Sequence, residues 1–334
     1  MQIVPAILRK RLGRVYRQVI APAYRRRARQ VLRDFTAHHQ LAKAAFIRDG
    51  HAADLRVASV EEVGVRVLVA DGGRNNFLDL PANYLDAVDA VYEKIRPHFD
   101  VSAQCSFFPG PIATPIPART QDVPELRRGD VIAVKLLDPL DVPGLEDVCG
   151  PLMQQLERHV FASYALVDKV HVYRSVVGRQ CERMTWLWHF DNHPREILKV
   201  MIYLTDVDAG RAPFEYLRDA TSLKPVLGSP LAPLYGDSRI TEDAMKRYRS
   251  DGHEVCQVTG PRGTTIVFDN NVVHRAVLAR TTYRDVLVFQ VRPVAFSTRP
   301  YIDRRWTGSF GHADFTRAPS EVTPSLTLPK VFER

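Results

Sequence analysis

The 334-residue chain contains no run of about 18 apolar residues, so no segment reads as a membrane-spanning helix. Its apolar opening, MQIVPAIL, is followed rather than preceded by basic residues and lacks a small-residue cleavage site, which argues against a secretory leader. Cysteine is scarce. Cys105, Cys149, Cys181 and Cys256 form no C-x-x-C pair, which excludes a zinc ribbon and argues against a disulfide framework. Free thiols in a reducing cytoplasm are the expectation. No internal repeat and no low-complexity block occur. Acidic residues are absent from residues 1–33, where Arg9, Lys10, Arg11, Arg14, Arg17, Arg25, Arg26, Arg27, Arg29 and Arg33 supply ten positive charges. The formal charge of the whole chain is +8, so subtracting those ten leaves the rest at −2. A near-neutral body offers no positive groove, and nucleic acid is therefore not an expected partner.

What is present falls into a basic tail and a β-rich body. In the tail, Val4, Leu8, Leu12, Val15, Tyr16 and Val19 recur at helical steps with arginines on the other face. Pro22 is expected to interrupt this helix, with a second basic helix from about Tyr24 to Phe35. Residues 1–40 read as a basic amphipathic segment and residues 41–334 as one domain. Two roles stay open for the tail: a helix docked over a sheet edge, or peripheral contact of residues 1–33 with an anionic membrane surface. The expected location is accordingly cytoplasmic, with membrane-peripheral attachment open.

Along the body, RVASVEEVGVRVLVAD alternates like a β-hairpin, and Asn83 to Phe99 has helical periodicity. PGPIATPIPARTQDVP is a loop, RGDVIAVKLLDP a strand, and Gly144 to Lys169 a long helix. From Val170 the texture becomes short β-runs: VHVYRSVV, MTWLWHF, EILKVMIYLTDV, APFEYL, TTIVF, VVHRAVLA and RDVLVFQVRP. DAMKRYRSDG reads as a helix inserted among them. Such a series predicts a sandwich or barrel, mainly β with flanking helices, with its core at about 130–295.

The chemistry centres on WLWHFDNHP. Residues two apart in an extended strand share a face, so His189 and Asp191 can converge on one point. An imidazole and a carboxylate suit a divalent metal such as Fe(II), and His274, after the strand that ends Asp-Asn-Asn, is the best third ligand. His193 is a rival for His189, although Pro194 favours a loop there. Arg284 opens RDVLVFQV ten positions beyond His274, and a guanidinium can hold a carboxylate through parallel N–H donors. Arg275 and Arg280 are its rivals. Lys199 and Tyr203 share one face of ILKVMIYL, either lining a barrel interior beside a co-substrate or facing out. Trp186, Trp188 and Phe190 share the face opposite His189, as core packing or, for Trp188, a substrate platform. Glu215 and Tyr216 are candidates for the mouth of a substrate pocket.

The motifs W-H-F-D, K-V-M-I-Y-L-T-D-V-D, A-P-F-E-Y, G-T-T-I-V-F-D-N-N-V-V-H-R and Y-R together resemble the Fe(II)/2-oxoglutarate-dependent oxygenases, nearest the phytanoyl-CoA dioxygenase-like group. The resemblance covers roughly residues 170–293. It implies a double-stranded β-helix (jelly-roll) core, with His189, Asp191 and His274 on Fe(II) and Arg284 on the distal carboxylate of 2-oxoglutarate. Dioxygen is the second co-substrate. Because related halogenases carry a small residue in place of the carboxylate, Asp191 implies hydroxylation of a small-molecule or lipid-like substrate. Two departures stand near the expected substrate mouth: AGRAPF where relatives read G-x-G-P-F, and RDATS where they read G-S-H. A cupin-like metal protein without oxygenase activity and a nucleic-acid dealkylating oxygenase are the competing functions; the first would lack a co-substrate anchor and the second would need a basic groove.

Overall fold

The computed structural model describes residues 21–69, 77–100, 105–109, 116–117, 131–177, 186–191, 193–218 and 240–309. Twelve strands occur among them: β1 (Val65–Leu68), β2 (Cys105–Pro109), β3 (Ile116–Pro117), β4 (Val131–Leu136), β5 (Tyr164–Ser175), β6 (Leu198–Tyr203), β7 (Phe214–Leu217), β8 (Val255–Val258), β9 (Thr265–Asp269), β10 (His274–Arg275), β11 (Arg284–Val294) and β12 (Gly308–Ser309). Four helices accompany them: α1 (Ala21–Arg48), α2 (Tyr84–Ile95), α3 (Leu145–Leu156) and α4 (Glu242–Ser250).

The large sheet runs β1-β9-β6-β11-β5-β4-β2-β3, with β12 alongside β5, and the small sheet runs β10-β7-β8. All neighbours are antiparallel except β12 on β5. The alternation of ILKVMIYL decides how the layers meet. Leu198, Val200 and Ile202 pack with Leu287, Phe289 and Val291 of β11 against α2 and α3. Met201 and Tyr203 join Val286, Val288, Ile266 and Phe268 on the opposite face, against Phe214 and Val258 of the small sheet. Apolar burial on both faces of one sheet, with a second sheet closing one of them, gives the mainly β, double-stranded β-helix core.

Four expectations need correction. The hairpin foreseen in RVASVEEVGVRVLVAD is one strand, β1, which pairs with β9 instead of with a neighbour in sequence. The long helix to Lys169 stops at Leu156. A five-residue π turn follows, and Ala162 ends it in the left-handed region at φ 52° before Tyr164 opens β5. Val170 is thus the middle of a strand that begins six residues earlier. The helix foreseen from Tyr24 to Phe35 starts at Ala21 and runs to Arg48, with Pro22 in its first turn, where a missing N–H breaks no bond. Finally, MTWLWHF forms no ladder strand over its described part, residues 186–190.

α1 is built into the body from Val31 onward. Val31 and Phe35 pack on Ile197, Phe46 packs with Tyr164, Leu166 and Val294, and His39 Nε2 donates to the Phe161 carbonyl at 2.8 Å. The tail's expected first helix lies outside the described residues, as do residues 219–239; of the Pro-rich stretch 109–124 expected as a loop, Pro109 ends β2 and Ile116–Pro117 form β3, and the rest lies outside the described residues. No helix among the described residues is long and apolar enough to cross a membrane. After β11 the chain wraps back over β5, where Thr298 and Thr307 donate to the carbonyls of Ala165 and Val167.

Candidate metal centre

His189 and His274 face each other across a two-residue bridge, with His189 N on the His274 carbonyl at 2.9 Å and His274 N on the His189 carbonyl at 2.8 Å. Their ring centroids stand 4.3 Å apart. Asp191 reaches the same point by a separate tether, its backbone N–H donating to the Asn270 carbonyl at 2.8 Å. The Asp-Asn-Asn turn after β9 makes that tether rigid. Asn271 N donates to Asp269 Oδ1, Asn270 Nδ2 to the Ile197 carbonyl and Asn271 Nδ2 to the His193 carbonyl, each at 2.8 Å.

The three ligating atoms lie within 4.8 Å of one another. His189 Nε2 is 3.8 Å from Asp191 Oδ1, and His274 Nε2 is 3.6 Å from Asp191 Oδ2. Each imidazole is oriented from behind: Nδ1 of His189 meets the Leu187 carbonyl and Nδ1 of His274 the Val272 carbonyl, both at 2.8 Å. Because a carbonyl can only accept, Nδ1 carries the proton and Nε2 is the basic nitrogen turned toward Asp191. Ring orientation by a partner on the other nitrogen is how metal-binding histidines are usually held. Phe214 and Phe268 flank the His274 ring, each with its centroid 5.5 Å away. Burial disfavours the Asp191 anion, but the Lys199 ammonium and the imidazoles of His274, His189 and His193 outweigh it and hold the carboxyl well below its ordinary range. Lys199 Nζ donates directly to Asp191 Oδ2.

Two imidazole nitrogens and one carboxylate oxygen on one side of a point form a donor set suited to Fe(II), leaving the other side for exogenous ligands. The same pocket, about 150 Å³, is lined by Arg284, Ser175, Tyr173, His171, Lys135 and Lys199. Arg284 lies opposite Ser175 in the β11–β5 register and is 1% exposed. Its Nη2 meets Ser175 Oγ at 3.4 Å, while Nε and Nη1 are buried without a hydrogen-bond partner among the described residues. A buried guanidinium with two unmet nitrogens is costly, and a carboxylate is the group that satisfies it.

The structure distributes the other candidates as follows. His193 stands outside the converging trio, and Asn271 engages its carbonyl. Lys199 and Tyr203 both point to the barrel interior; Tyr203 is fully buried, donates to the Val258 carbonyl at 2.8 Å and accepts from Phe214 N at 3.1 Å. Its ring centroid lies 5.9 Å from the Arg284 guanidinium carbon. Arg280 is exposed, and Arg275 is held by Glu215 with Nε at 2.6 Å from the carboxylate. Glu215 is buried between Arg275 and Gln257, and Tyr216 stacks on Phe214; neither lines the pocket. Trp188 packs with Leu217, Met245 and Val273 and lies beneath the Arg275 guanidinium, whereas Trp186 is the tryptophan on the pocket wall. Sequence reasoning overlooked Lys135, His171, Tyr173 and Ser175. The last three alternate along VHVYRSVV, a signal that was available once that run was taken as a strand.

No family model matches the chain, and no curated protein matches it. Solved structures similar to it include AviO1 from Streptomyces viridochromogenes Tue57, at 17% identity and a TM-score of 0.42, covering 72% of this chain and 96% of that one. EctD from S. alaskensis with 2-oxoglutarate and 5-hydroxyectoine is similar at 12% identity and a TM-score of 0.43, covering 77% and 88%. The non-heme alpha ketoglutarate dependent carbocyclase SnoK is similar at 14% identity and a TM-score of 0.35, covering 60% and 83%. At such values it is the strands and side chains of this chain that must carry any functional conclusion.

Proposed function

We propose that the chain is a non-haem iron oxygenase using 2-oxoglutarate and dioxygen, with His189, Asp191 and His274 as Fe(II) ligands and Arg284 as the anchor for the co-substrate's distal carboxylate. One observation carries this reading: the two-His-one-carboxylate group and a buried guanidinium with unmet nitrogens line the same pocket. A cupin-like metal protein without oxygenase activity would have no use for the second feature. When bound, iron and 2-oxoglutarate would supply, with dioxygen as the four-electron oxidant, oxidative decarboxylation coupled to oxidation of a substrate C–H bond.

The residues divide the remaining work. The Leu187 and Val272 carbonyls fix the imidazole tautomers, so that Nε2 of each ring presents a lone pair. Lys199 keeps Asp191 ionised and holds Oδ2, leaving Oδ1 as the oxygen open to a metal. Arg284 and Ser175 receive the far carboxylate, with Tyr203 packed beside the guanidinium. Phe214 and Phe268 keep water from the His274 side of the centre. An intact carboxylate at position 191 fills the position that a halide would need, and hydroxylation of a small-molecule or lipid-like substrate is the reaction we assign.

The test is anaerobic titration of the full chain with Fe(II) and then 2-oxoglutarate, followed by visible absorbance of the chelate and by oxygen uptake on exposure to air. Absorbance that develops only with both components, and is lost in Asp191→Ala, supports the assignment. Oxygen uptake independent of 2-oxoglutarate would refute it.

A further inference from the structure

The basic helix α1 turns an apolar face toward the stretch that leads from Asp191 into β6. Val31 and Phe35 close on Ile197, and each of these three side chains is 2% exposed or less. Thr36 Oγ1 donates to Glu196 Oε1 at 2.8 Å, so the same helix also holds the residue before Ile197. The Phe35 ring lies 5.7 Å from the Arg292 guanidinium carbon, and Arg292 is paired with Asp168 of β5. Phe35 thus meets both β11 and the entry to β6, in an interior with little space to absorb a shift.

Ile197 is where this cover joins the Asp191 tether. The Ile197 carbonyl accepts from Asn270 Nδ2 at 2.8 Å, and the Asn270 carbonyl accepts from Asp191 N at 2.8 Å. Ile197 N donates to the Pro194 carbonyl at 3.0 Å, and Asn271 Nδ2 holds the His193 carbonyl at 2.8 Å. The approach to β6 is therefore clasped from two sides, by the Asp-Asn-Asn turn and by α1. The two histidines are fixed differently, by the backbone hydrogen bonds they exchange with each other. Asp191 is the ligand whose place depends on contacts leading outward to α1. Groups behind a metal ligand commonly govern about 10–100-fold in metal affinity.

Building on the assignment of His189, Asp191 and His274 as metal ligands, we infer that Phe35 is a positioning residue for the metal centre. It acts through Ile197 and Asn270 on Asp191, and docked α1 thereby sets how tightly the site holds its metal.

Phe46 supplies an internal control. It lies on the same helix, is also 2% exposed, and packs with Tyr164, Leu166 and Val294 in a cluster without Ile197. Phe35→Leu and Phe46→Leu both open a cavity under α1, and both should lower the thermal midpoint of the metal-free chain. The probe is Co(II), added to the full chain, with its visible absorbance reading the ligand set and chelator competition giving Kd. Phe35→Leu should weaken Co(II) about tenfold and alter its bands, whereas Phe46→Leu should bind as the parent does. Asn270→Ala should weaken it at least as much, and adding Phe35→Leu to that variant should cost little more, because residues acting along one chain of contacts are not additive. Thr36→Val, an exposed change that leaves the packing intact, should weaken Co(II) in the same direction, and it decides the matter should Phe35→Leu fail to fold. The inference is overturned if neither Phe35→Leu nor Thr36→Val weakens Co(II). It is equally overturned if Phe46→Leu weakens it as much as Phe35→Leu, or if the Phe35 and Asn270 losses add in full. A parent that binds no Co(II), or an Asp191→Ala variant that binds it as the parent does, defeats the ligand assignment itself; Co(II) lost in Asp191→Ala but indifferent to Phe35 defeats this inference alone.

Discussion

Replacing Arg284 by methionine should move stability and co-substrate binding in opposite directions. The side chain is 1% exposed, and among the described residues its Nε and Nη1 have no acceptor. Each unmet buried polar group costs about 1–3 kcal/mol, and methionine fills similar space without one. After allowing for the long 3.4 Å contact with Ser175 that is lost, the metal-free chain should gain roughly 1–3 kcal/mol of unfolding free energy. The cost falls on 2-oxoglutarate. Truncating one partner of a buried charge pair costs about 2–5 kcal/mol, which is roughly a thirtyfold to several-thousandfold rise in Kd. Lysine at this position keeps the charge and loses the parallel donors, and should fall between the two. Urea melts without ligand give the first quantity, from a shifted midpoint at constant slope. Anaerobic Fe(II)–2-oxoglutarate titration gives the second. A methionine variant that melts earlier than the parent, yet binds 2-oxoglutarate equally well, would show that the guanidinium is a structural cation and refute the reasoning.

Removing either imidazole, as in His189→Ala or His274→Ala, should abolish the stabilisation that divalent metal confers, which is about 2.7 kcal/mol at a metal concentration one hundred times Kd; thermal midpoints with and without chelator measure it, and a chelator-sensitive His274→Ala would contradict the ligand set. His39 supplies a pH test: burial, with help from Lys43 and His38 and against the Phe161 carbonyl, lowers its pKa from 6.5 to about 4. Below pH 6.5 the unfolded chain takes up a proton that the folded ring refuses until about pH 4, so the folded state loses stability as pH falls through that window, on the order of 3 kcal/mol by its lower end. His39→Gln should remove that slope, and a stability difference between parent and variant that stays flat from pH 7 to 4 would count against it. Tyr203→Phe leaves the Val258 carbonyl and the Phe214 N–H without their shared hydroxyl and should cost about 1–3 kcal/mol in urea melts. Trp188→Ala should cost about 3–5 kcal/mol through its cavity while 2-oxoglutarate titrates as in the parent; a large loss of co-substrate affinity would restore Trp188 to the site.

Local patterns in the sequence carried the interior of the large sheet well. Period-two alternation in ILKVMIYL sorts Leu198, Val200 and Ile202 from Lys199, Met201 and Tyr203, and the structure buries the two sets on opposite faces. What defeated local reasoning was termination. YALVDK continues an apolar stretch out of α3 with neither glycine nor proline to stop it, and the helix ends instead through Ala162 at φ 52°, a conformation that alanine does not advertise. The hairpin expected around VRVL failed for a related reason. β1 finds its partner in β9, about two hundred residues away, and no short-range signal distinguishes that pairing from a neighbouring one.

His189 and Asp191 are the more instructive pair, because the expected convergence occurs by a different route. A strand's alternation was the reason for placing both side chains on one face, yet no ladder runs through them. His189 is fixed by its exchange of backbone hydrogen bonds with His274, and Asp191 by its N–H on the Asn270 carbonyl. The metal group is therefore a property of the Asp-Asn-Asn turn as much as of W-H-F-D: loosening Asn270 and Asn271 would displace the carboxylate while leaving every candidate ligand in the sequence. The pocket wall lies further still from local pattern. Lys135 sits in a plain apolar strand, VIAVKL, and acquires its place beside Tyr173 only through the β4–β5 register. A motif search that stops at the ligands recovers the His-Asp-His group and passes over the strand residues that wall its pocket.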